Sequence, residues 1–312
     1  MRVVVAIGGN ALLERGERPD ARIQLRHVHA AARALAPLTE HELIIVHGNG
    51  PQVGMLALES EADSSLSEPY PLDALVAQTQ GMIGYWLSQA LDNAGGRRPT
   101  RTLLTRTEVD ARDPGFHRPT KFIGPGYEAG AATPLIAQRH WRMADDGGRL
   151  RRVVPSPAPV AVPEIEVIDL LLQHGQNVIC AGGGGTAVVR ADGGYAGVEA
   201  VVDKDLVAAH LAIELRADRL LLLTDVDGVY AEFGTPRARL IRHLSCAELA
   251  ALSLPDGSMG PKAEACREFT ALTQNPSAIG ALTAAEAVLA GAAGTRISTT
   301  RCSGPAPAHQ PS

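Results

Sequence analysis

The sequence predicts an α/β fold: a mostly parallel open sheet sandwiched by helices, with a protruding insertion. Three observations carry this. Short aliphatic runs alternate with helical patterns along the 312 residues, the order expected when each strand needs a crossover before its parallel neighbour. Hydrophobic residues make up 45% of the chain and aromatics only 4%, so the core is aliphatic, as suits a sheet covered on both faces. Three of the aliphatic runs end in glycine-rich turns, and an open parallel sheet binds its ligands at the carboxyl ends of its strands.

In chain order, buried strands are predicted at Val3–Ile7, Leu43–His47, Arg101–Leu104, Val178–Ala181 and Leu220–Thr224, with a last one near Arg296–Ser298. Between them helices are predicted at about Arg22–Ala36, Leu72–Asn93, Glu164–His174, Lys204–Arg216, Ser245–Leu252, Pro261–Leu272 and Thr283–Leu289. Ser245 with Glu248, and Thr283 with Glu286, each spell a capping box at a helix start. The stretch from Arg112 to Arg152 breaks the rhythm. It is rich in Pro, Gly and Arg, but it keeps Phe116, Phe122, Tyr127 and Trp141, and so reads as a folded protrusion rather than a linker. Residues 303–312 hold three Pro and no periodicity, and are expected to form a disordered tail.

The formal charge of −5 argues against nucleic-acid and anionic-membrane partners, which call for a basic surface. Five Arg against two Asp between Arg139 and Arg152 form a local exception, read as a solvated basic hairpin because Trp141 alone does not make the aromatic interleaving of a nucleic-acid site. The four cysteines, Cys180, Cys246, Cys266 and Cys302, are far apart and form no metal-ligand spacing, which suits small core residues in a reducing compartment. The first apolar run stops after five residues at Gly8-Gly9, too short for a signal peptide or a membrane span, so a cytoplasmic protein is expected.

The glycine turns are Ile7-Gly8-Gly9-Asn10, His47-Gly48-Asn49-Gly50-Pro51 and Ala181-Gly182-Gly183-Gly184-Gly185. Glycine lets backbone N–H groups approach an anion closely, and a following helix adds its positive end. One such turn alone would read as a tight connection; three in one sheet point to a phosphate-binding edge. No GxxxxGK[ST] is present, which excludes a Walker-A site. Gly182-x-Gly184-x-x-Ala187 matches the dinucleotide fingerprint formally, but Val-Val-Arg-Ala-Asp-Gly-Gly is a poor helix to receive a pyrophosphate.

Of 29 basic residues only three are Lys: Lys121, Lys204 and Lys262. A chain that uses Arg so freely keeps Lys where a wide planar guanidinium fails and a compact charge on a slim stem is needed. Asp203 is a good N-cap, which puts Lys204 at the first helical position. Pro261 suits the first position of the next helix, which puts Lys262 second. A cation there opposes the helix dipole by ~0.3–1 kcal/mol. Both placements make sense if each ammonium faces a phosphate chain lying over the helix ends. Leu220–Leu223 then delivers Thr224, Asp225, Val226, Asp227 and Gly228 to a strand end, as a nucleotide site would need, with Tyr230 placed either to flank a base or to pack.

At these residues the chain resembles the carbamate kinases, within the wider amino acid kinase superfamily. The matching stretches are AIGGNALL (6–13), HGNGPQVG (47–54), VAQTQGMIGY (76–85), DPGFHRPTKFIGP (113–125), RRVVPSP (151–157), CAGGGG (180–185), GVEAVVDKDL (197–206), LTDVDGVY (223–230) and GSMGPKAEA (257–265). They cover nearly all of residues 1–300. Ala6 stands where the wider superfamily usually has a Lys before the two glycines, as in the carbamate kinase branch, so Lys204 becomes the candidate phosphate-facing lysine. Phe122 after the PTK lysine and Thr186-Ala187 after the four glycines depart from the usual family residues.

The resemblance implies reversible, direct in-line phosphoryl transfer between ATP and carbamate, giving ADP and carbamoyl phosphate. It implies the ATP-forming direction in arginine and carbamoyl phosphate catabolism. One amino-acid-kinase-like domain is expected over residues 1–302: a carbamate and phosphoryl lobe to about 205, carrying a protruding subdomain at about 112–152, and a nucleotide lobe from about 206. Gly8, Gly9 and Asn10 would hold the transferring group, and Gly48, Asn49 and Gly50 the carbamate. Lys204 and Lys262 would stabilise its charge, with Asp205 holding them in place and Lys121 closing from the insertion. Gly183, Gly184, Asp203, Thr224, Asp225, Val226, Tyr230, Met259 and Gly260 would serve the nucleotide, the last two in a turn spanning 257–262. Mg²⁺ would ride on the ATP or ADP phosphates, and the chain would form a homodimer. The competing readings are a kinase of another small acid or phosphonate, a non-catalytic nucleotide sensor, and an NAD-binding oxidoreductase.

Overall fold

Six strands of the central sheet run parallel, in the order Ser277–Ala281, Arg219–Thr224, Arg2–Ile7, Glu42–His47, Asn177–Ile179 and Thr100–Thr102. Thr295–Ser298 adds antiparallel to Ser277–Ala281, and His243–Ser245 closes that side parallel to Thr295–Ser298. The computed structural model describes residues 1–14, 16–254 and 259–299. The tail expected at 303–312, Cys302 and the start of the 257–262 turn lie outside the described residues.

Alternation along the first strand sets the two layers. Val4 and Ala6 enter a core with Val207, Ala208 and Leu211 of helix α6 (Lys204–Glu214). Val3, Val5 and Ile7 enter the opposite core with Val28 and Leu35 of α1 (Ala21–Leu35) and Leu87 and Leu91 of α3 (Leu72–Asn93). Successive strand side chains point to opposite faces, so a run that is apolar throughout must be covered twice. Register fixes the functional edge: Ile7 pairs with both His47 and Leu223, and Ile45 with Ile179. The chain therefore leaves the strands at Gly8, Gly48, Thr224 and Ala181 along one border of the sheet.

Of the elements absent from the sequence reading, two shape the body around the site. Ser277–Ala281 is a buried central strand of small residues, SAIGA, too weak in β-propensity to stand out. Helix α2 (Gly50–Ala62) begins GPQVG, whose glycines and proline resemble a turn. The capping box expected at Thr283 and Glu286 does not form. Thr283 lies in a 3₁₀ turn (Leu282–Ala284), and the following short helix Ala285–Leu289 starts from Ala284 without a side-chain cap. The box at Ser245 and Glu248 does form, opening Cys246–Ala250.

The stretch expected to protrude folds into a three-stranded antiparallel sheet, Lys121–Tyr127, Leu150–Val154 and Met143–Asp145, with a helix at Ala129–Arg139. It lies along α2. Arg139 and Arg152 both pair with Glu61 at the far end of that helix, and both guanidinium groups lie over the Trp141 ring. In the middle, Gly54 and Gly124 meet backbone to backbone; a Cβ on Gly54 would overlap the Gly124 backbone. Gly54→Ala is therefore expected to push the insertion off α2, with the ~1–3 kcal/mol cost of overpacking. A lowered melting temperature and faster tryptic cleavage between Arg139 and Arg152 would report it; wild-type behaviour in both would show that the two backbones can part freely.

Candidate active site

The first two glycine turns touch. The Gly8 N–H donates to Leu223 O and the Gly48 N–H to Ile7 O, both at 3.0 Å, which ties each turn to the neighbouring strand end. A Cβ on Gly48 would stand 2.7 Å from Gly9 N, so glycine is required there for the two backbones to lie together. The insertion covers the second turn: a Cβ on Gly50 would lie 3.3 Å from Phe122 O and 3.6 Å from Arg151 Nη2. His47 is buried beneath this edge, and its Nδ1 lies 3.0 Å from Gly48 O. Burial pushes its pKa down to about 4. The ring is thus neutral, with its proton on Nδ1 donated to that carbonyl.

The third turn is built differently. Gly183 and Gly184 are buried with positive φ of 66° and 91°. A Cβ on Gly183 would overlap the Asn49 amide, and one on Gly184 the Val202 carbonyl. Close packing therefore demands both glycines. Strand Thr186–Ala191 follows them, and the formal dinucleotide fingerprint at Gly182–Ala187 has no helix to complete it.

The three lysines, read from scattered turns, come together. Lys121 Nζ donates to Asp203 Oδ2 at 2.6 Å, Lys204 Nζ to Asp205 Oδ1 at 2.8 Å, and Lys262 Nζ to Asp205 Oδ2 at 3.0 Å. Asp203 caps α6 as expected, its Oδ1 accepting the Asp205 N–H at 2.8 Å, and Lys204 takes the first helical position. Lys262 sits further in than the sequence suggests. Helix α8 already runs from Met259 to Thr273, because Gly260 and Pro261 are both tolerated in a first turn. Both these lysines and both carboxylates are largely removed from water; Asp205 is 2% exposed.

Three ammonium groups against two carboxylates leave one net positive charge in a buried cluster, and each ammonium has further N–H donors for an anion. The electrostatics follow. Burial pushes the Lys204 pKa down and Asp205 pulls it up, while Lys262 pushes it down again, leaving it at about 8. For Lys262, burial is outweighed by Asp205 and Asp203, and its pKa is raised. Burial raises Asp203 and Asp205 as well, but the surrounding lysines win and hold both below the ordinary carboxylate value.

Next to the cluster, Thr224 and the exposed Asp225 end their strand with Thr224 Oγ1 donating to Asp225 Oδ1 at 2.9 Å. Asp225 also helps to raise the Lys262 pKa, which ties this strand end to the lysines. Val226 is half-buried. Tyr230 is half-buried as well, its ring centroid 5.9 Å from that of the exposed Phe233. Met259 and Gly260 are half-buried at the start of α8. Sequence reasoning missed the polar side of α3: Thr79 accepts the Asn49 Nδ2 at 2.9 Å, and Gln80 bonds to Thr105 and Thr186. Two adjacent polar residues in the middle of an otherwise core-facing helix were the available signal.

A profile of the amino acid kinase family matches residues 1–280. The carbamate kinase of Escherichia coli (strain K12) is 52% identical over 297 residues, which span 95% of this chain and 99% of that protein. That of Rhizobium meliloti (strain 1021) is 47% identical over 305 residues, 96% of this chain and 94% of that one. Among solved structures, the carbamate kinase from Giardia lamblia bound to citric acid superposes with a TM-score of 0.89 at 38% identity, covering 95% of this chain and 98% of that one. The Giardia lamblia carbamate kinase bound to AMP-PNP gives 0.84 at the same identity and the same coverage. With its parallel sheet, its glycine-lined edge and its clustered lysines, the chain belongs to the amino acid kinase family, in the carbamate kinase branch.

Proposed function

We propose that this chain transfers a phosphoryl group reversibly between ATP and carbamate, giving ADP and carbamoyl phosphate. The carrying observation is that all three lysines of the chain converge on Asp203 and Asp205 beside the glycine turns. Carbamate is an anion whose oxygen is already nucleophilic, so no general base is required, and the buried His47, with its pKa at about 4, is too weakly basic to serve as one. Positioning and charge neutralisation then do most of the work. The carbamate oxygen forms a bond to the γ-phosphorus as the bond from that phosphorus to the bridging oxygen of ADP breaks.

The Gly48–Gly50 turn is assigned to the carbamate, and Gly8, Gly9 and Asn10 to the phosphoryl group in flight. Lys204 and Lys262 meet its equatorial and bridging oxygens, Asp205 fixes the spacing between them, and Lys121 closes from the insertion. Thr224–Tyr230, Met259 and Gly260 form the nucleotide side. Asp203 and Asp205 are each bonded to ammonium groups, so the fitting ligands for Mg²⁺ are the phosphates of the nucleotide it accompanies, whose charge it offsets. The same reading carries a homodimer, a cytoplasmic location and the ATP-forming direction. It is supported by family membership and by the free thiols of Cys180, Cys246 and Cys266. Among the described residues no helix is long and apolar enough to cross a membrane.

A coupled assay for ATP formation from ADP and carbamoyl phosphate with Mg²⁺ tests the reaction. Activity with acetylglutamate or a phosphonate, and none with bicarbonate plus ammonia, would reassign the acceptor. The pH profile adds a second check. With its pKa at about 8, Lys204 in the free enzyme loses its charge above that pH, and kcat/KM, which reports free-enzyme ionisations, is expected to fall there about tenfold per pH unit. Stability moves the other way. The folded pKa lies below the ordinary 10.5, so between these values the unfolded chain binds more protons, and the Lys204 contribution to stability rises with pH. A kcat/KM profile that stays flat to pH 10 would remove Lys204 as the titrating group.

A further inference from the structure

Asn49 occupies the N-cap position of α2, yet its side chain makes no cap bond. Asparagine is among the preferred caps because its oxygen accepts an N–H from the first turn. Here Nδ2 donates instead to Thr79 Oγ1 at 2.9 Å. The Thr79 hydroxyl spends its own proton on Val76 O at 2.7 Å, so it can only accept from Asn49, which settles which end of the amide faces it. Both side chains are buried, Thr79 at 0% and Asn49 at 2% exposure, and the absent side chain of Gly183 leaves the room in which the amide stands. Pro51 has no N–H, and the Val53 N–H is bonded to Asn49 O. The uncapped turn therefore presents the N–H groups of Gly50 and Gln52.

We propose that Thr79 is a positioning residue for the acceptor site: it holds the Asn49 side chain off the start of α2, so that these backbone donors serve the carbamate group. The inference rests on the assignment of the Gly48–Gly50 turn to the acceptor. It also accounts for the VAQTQGMIGY stretch, which no other part of the mechanism uses. Thr79 touches neither substrate; it acts through Asn49, and Gly183 is needed for the same reason.

Thr79→Val keeps the shape and removes the acceptor, freeing the Asn49 amide to turn onto the helix start as an ordinary cap. The KM for carbamoyl phosphate is expected to rise about tenfold, the scale of one lost hydrogen bond, with the KM for ADP and the melting temperature near wild type. Thr79→Ser, which restores the hydroxyl, should return the KM to wild type, and Thr79→Ala serves if the valine variant fails to fold. In an Asn49→Ala background Thr79→Val should add nothing, since its effect runs through Asn49. If the wild-type protein makes no ATP from carbamoyl phosphate, the acceptor assignment falls and the proposal with it. If the wild type is active, an unchanged KM in Thr79→Val, a parallel rise for both substrates, or additive effects in the double variant would overturn the role of Thr79 alone.

Discussion

Lys204→Arg and Lys262→Arg are each expected to lower kcat by about two orders of magnitude or more, the range of losing one preorganised electrostatic contact. Charge is retained in both, so the loss would come from shape. Each ammonium reaches Asp205 from a helix start packed into the body, at 2.8 Å and 3.0 Å. A guanidinium making the same contact is wider and planar, and would intrude on the space beside the glycine turns. Steady-state kinetics with ADP and carbamoyl phosphate decide the matter: near-normal kcat in both variants would mean that these are interchangeable cations. On the helix dipole alone, Lys→Ala at either position leaves the unliganded protein as stable as before or slightly more so. For Lys204 that expectation stands, because its pKa of about 8 shows that burial and Lys262 outweigh its pairing with Asp205. For Lys262 pairing reverses it: its raised pKa marks a charge the fold favours, and its removal withdraws a partner from a buried carboxylate.

Asp205→Asn has the largest expected effect on folding. The carboxylate is shared by two buried ammonium groups that repel one another, and asparagine keeps the shape while deleting the charge that holds them together. Breaking a buried pair by removing one partner costs about 3–5 kcal/mol, so a markedly lower melting temperature is expected for the unliganded protein. Mg-ADP or inorganic phosphate should recover part of the loss, because an anion bound over Lys204 and Lys262 replaces the missing charge. Thermal melts with and without these ligands read both effects. A variant as stable as wild type would mean that Lys204 gives up its proton at little cost, which its pKa of about 8 makes the natural alternative.

How far the site could be read from the chain differs from residue to residue. The rarity of lysine in an Arg-rich chain singled out Lys121, Lys204 and Lys262, and the fold brings all three to Asp203 and Asp205. Asp203 as a cap was readable because capping is local and has a residue preference of its own. Helix α2 was not readable, although it carries the second glycine turn at one end and the insertion's anchor, Glu61, at the other. Its opening glycines serve long-range contacts with Phe122 and Gly124, and locally they resemble a loop. Gly183 and Gly184 were legible as special but not as packing residues, because what stands over them, Asn49 and Val202, lies far away in sequence.

By itself the sequence determined the alternation of strand and helix, the aliphatic two-faced sheet, the glycines at strand ends and the three positions where Lys stands in an Arg-rich chain. These follow from periodicity, backbone freedom and side-chain shape, which act over a few residues at a time. Only the tertiary structure decided that three separate turns deliver their ammonium groups to one pair of carboxylates, and that Asn49 turns to Thr79 instead of capping its own helix. Such pairings depend on the register that aligns Ile7 with His47 and Leu223, and on the packing of α3 and α6 against that edge. Register and packing are properties of the whole folded sheet, and no local stretch of the chain contains them.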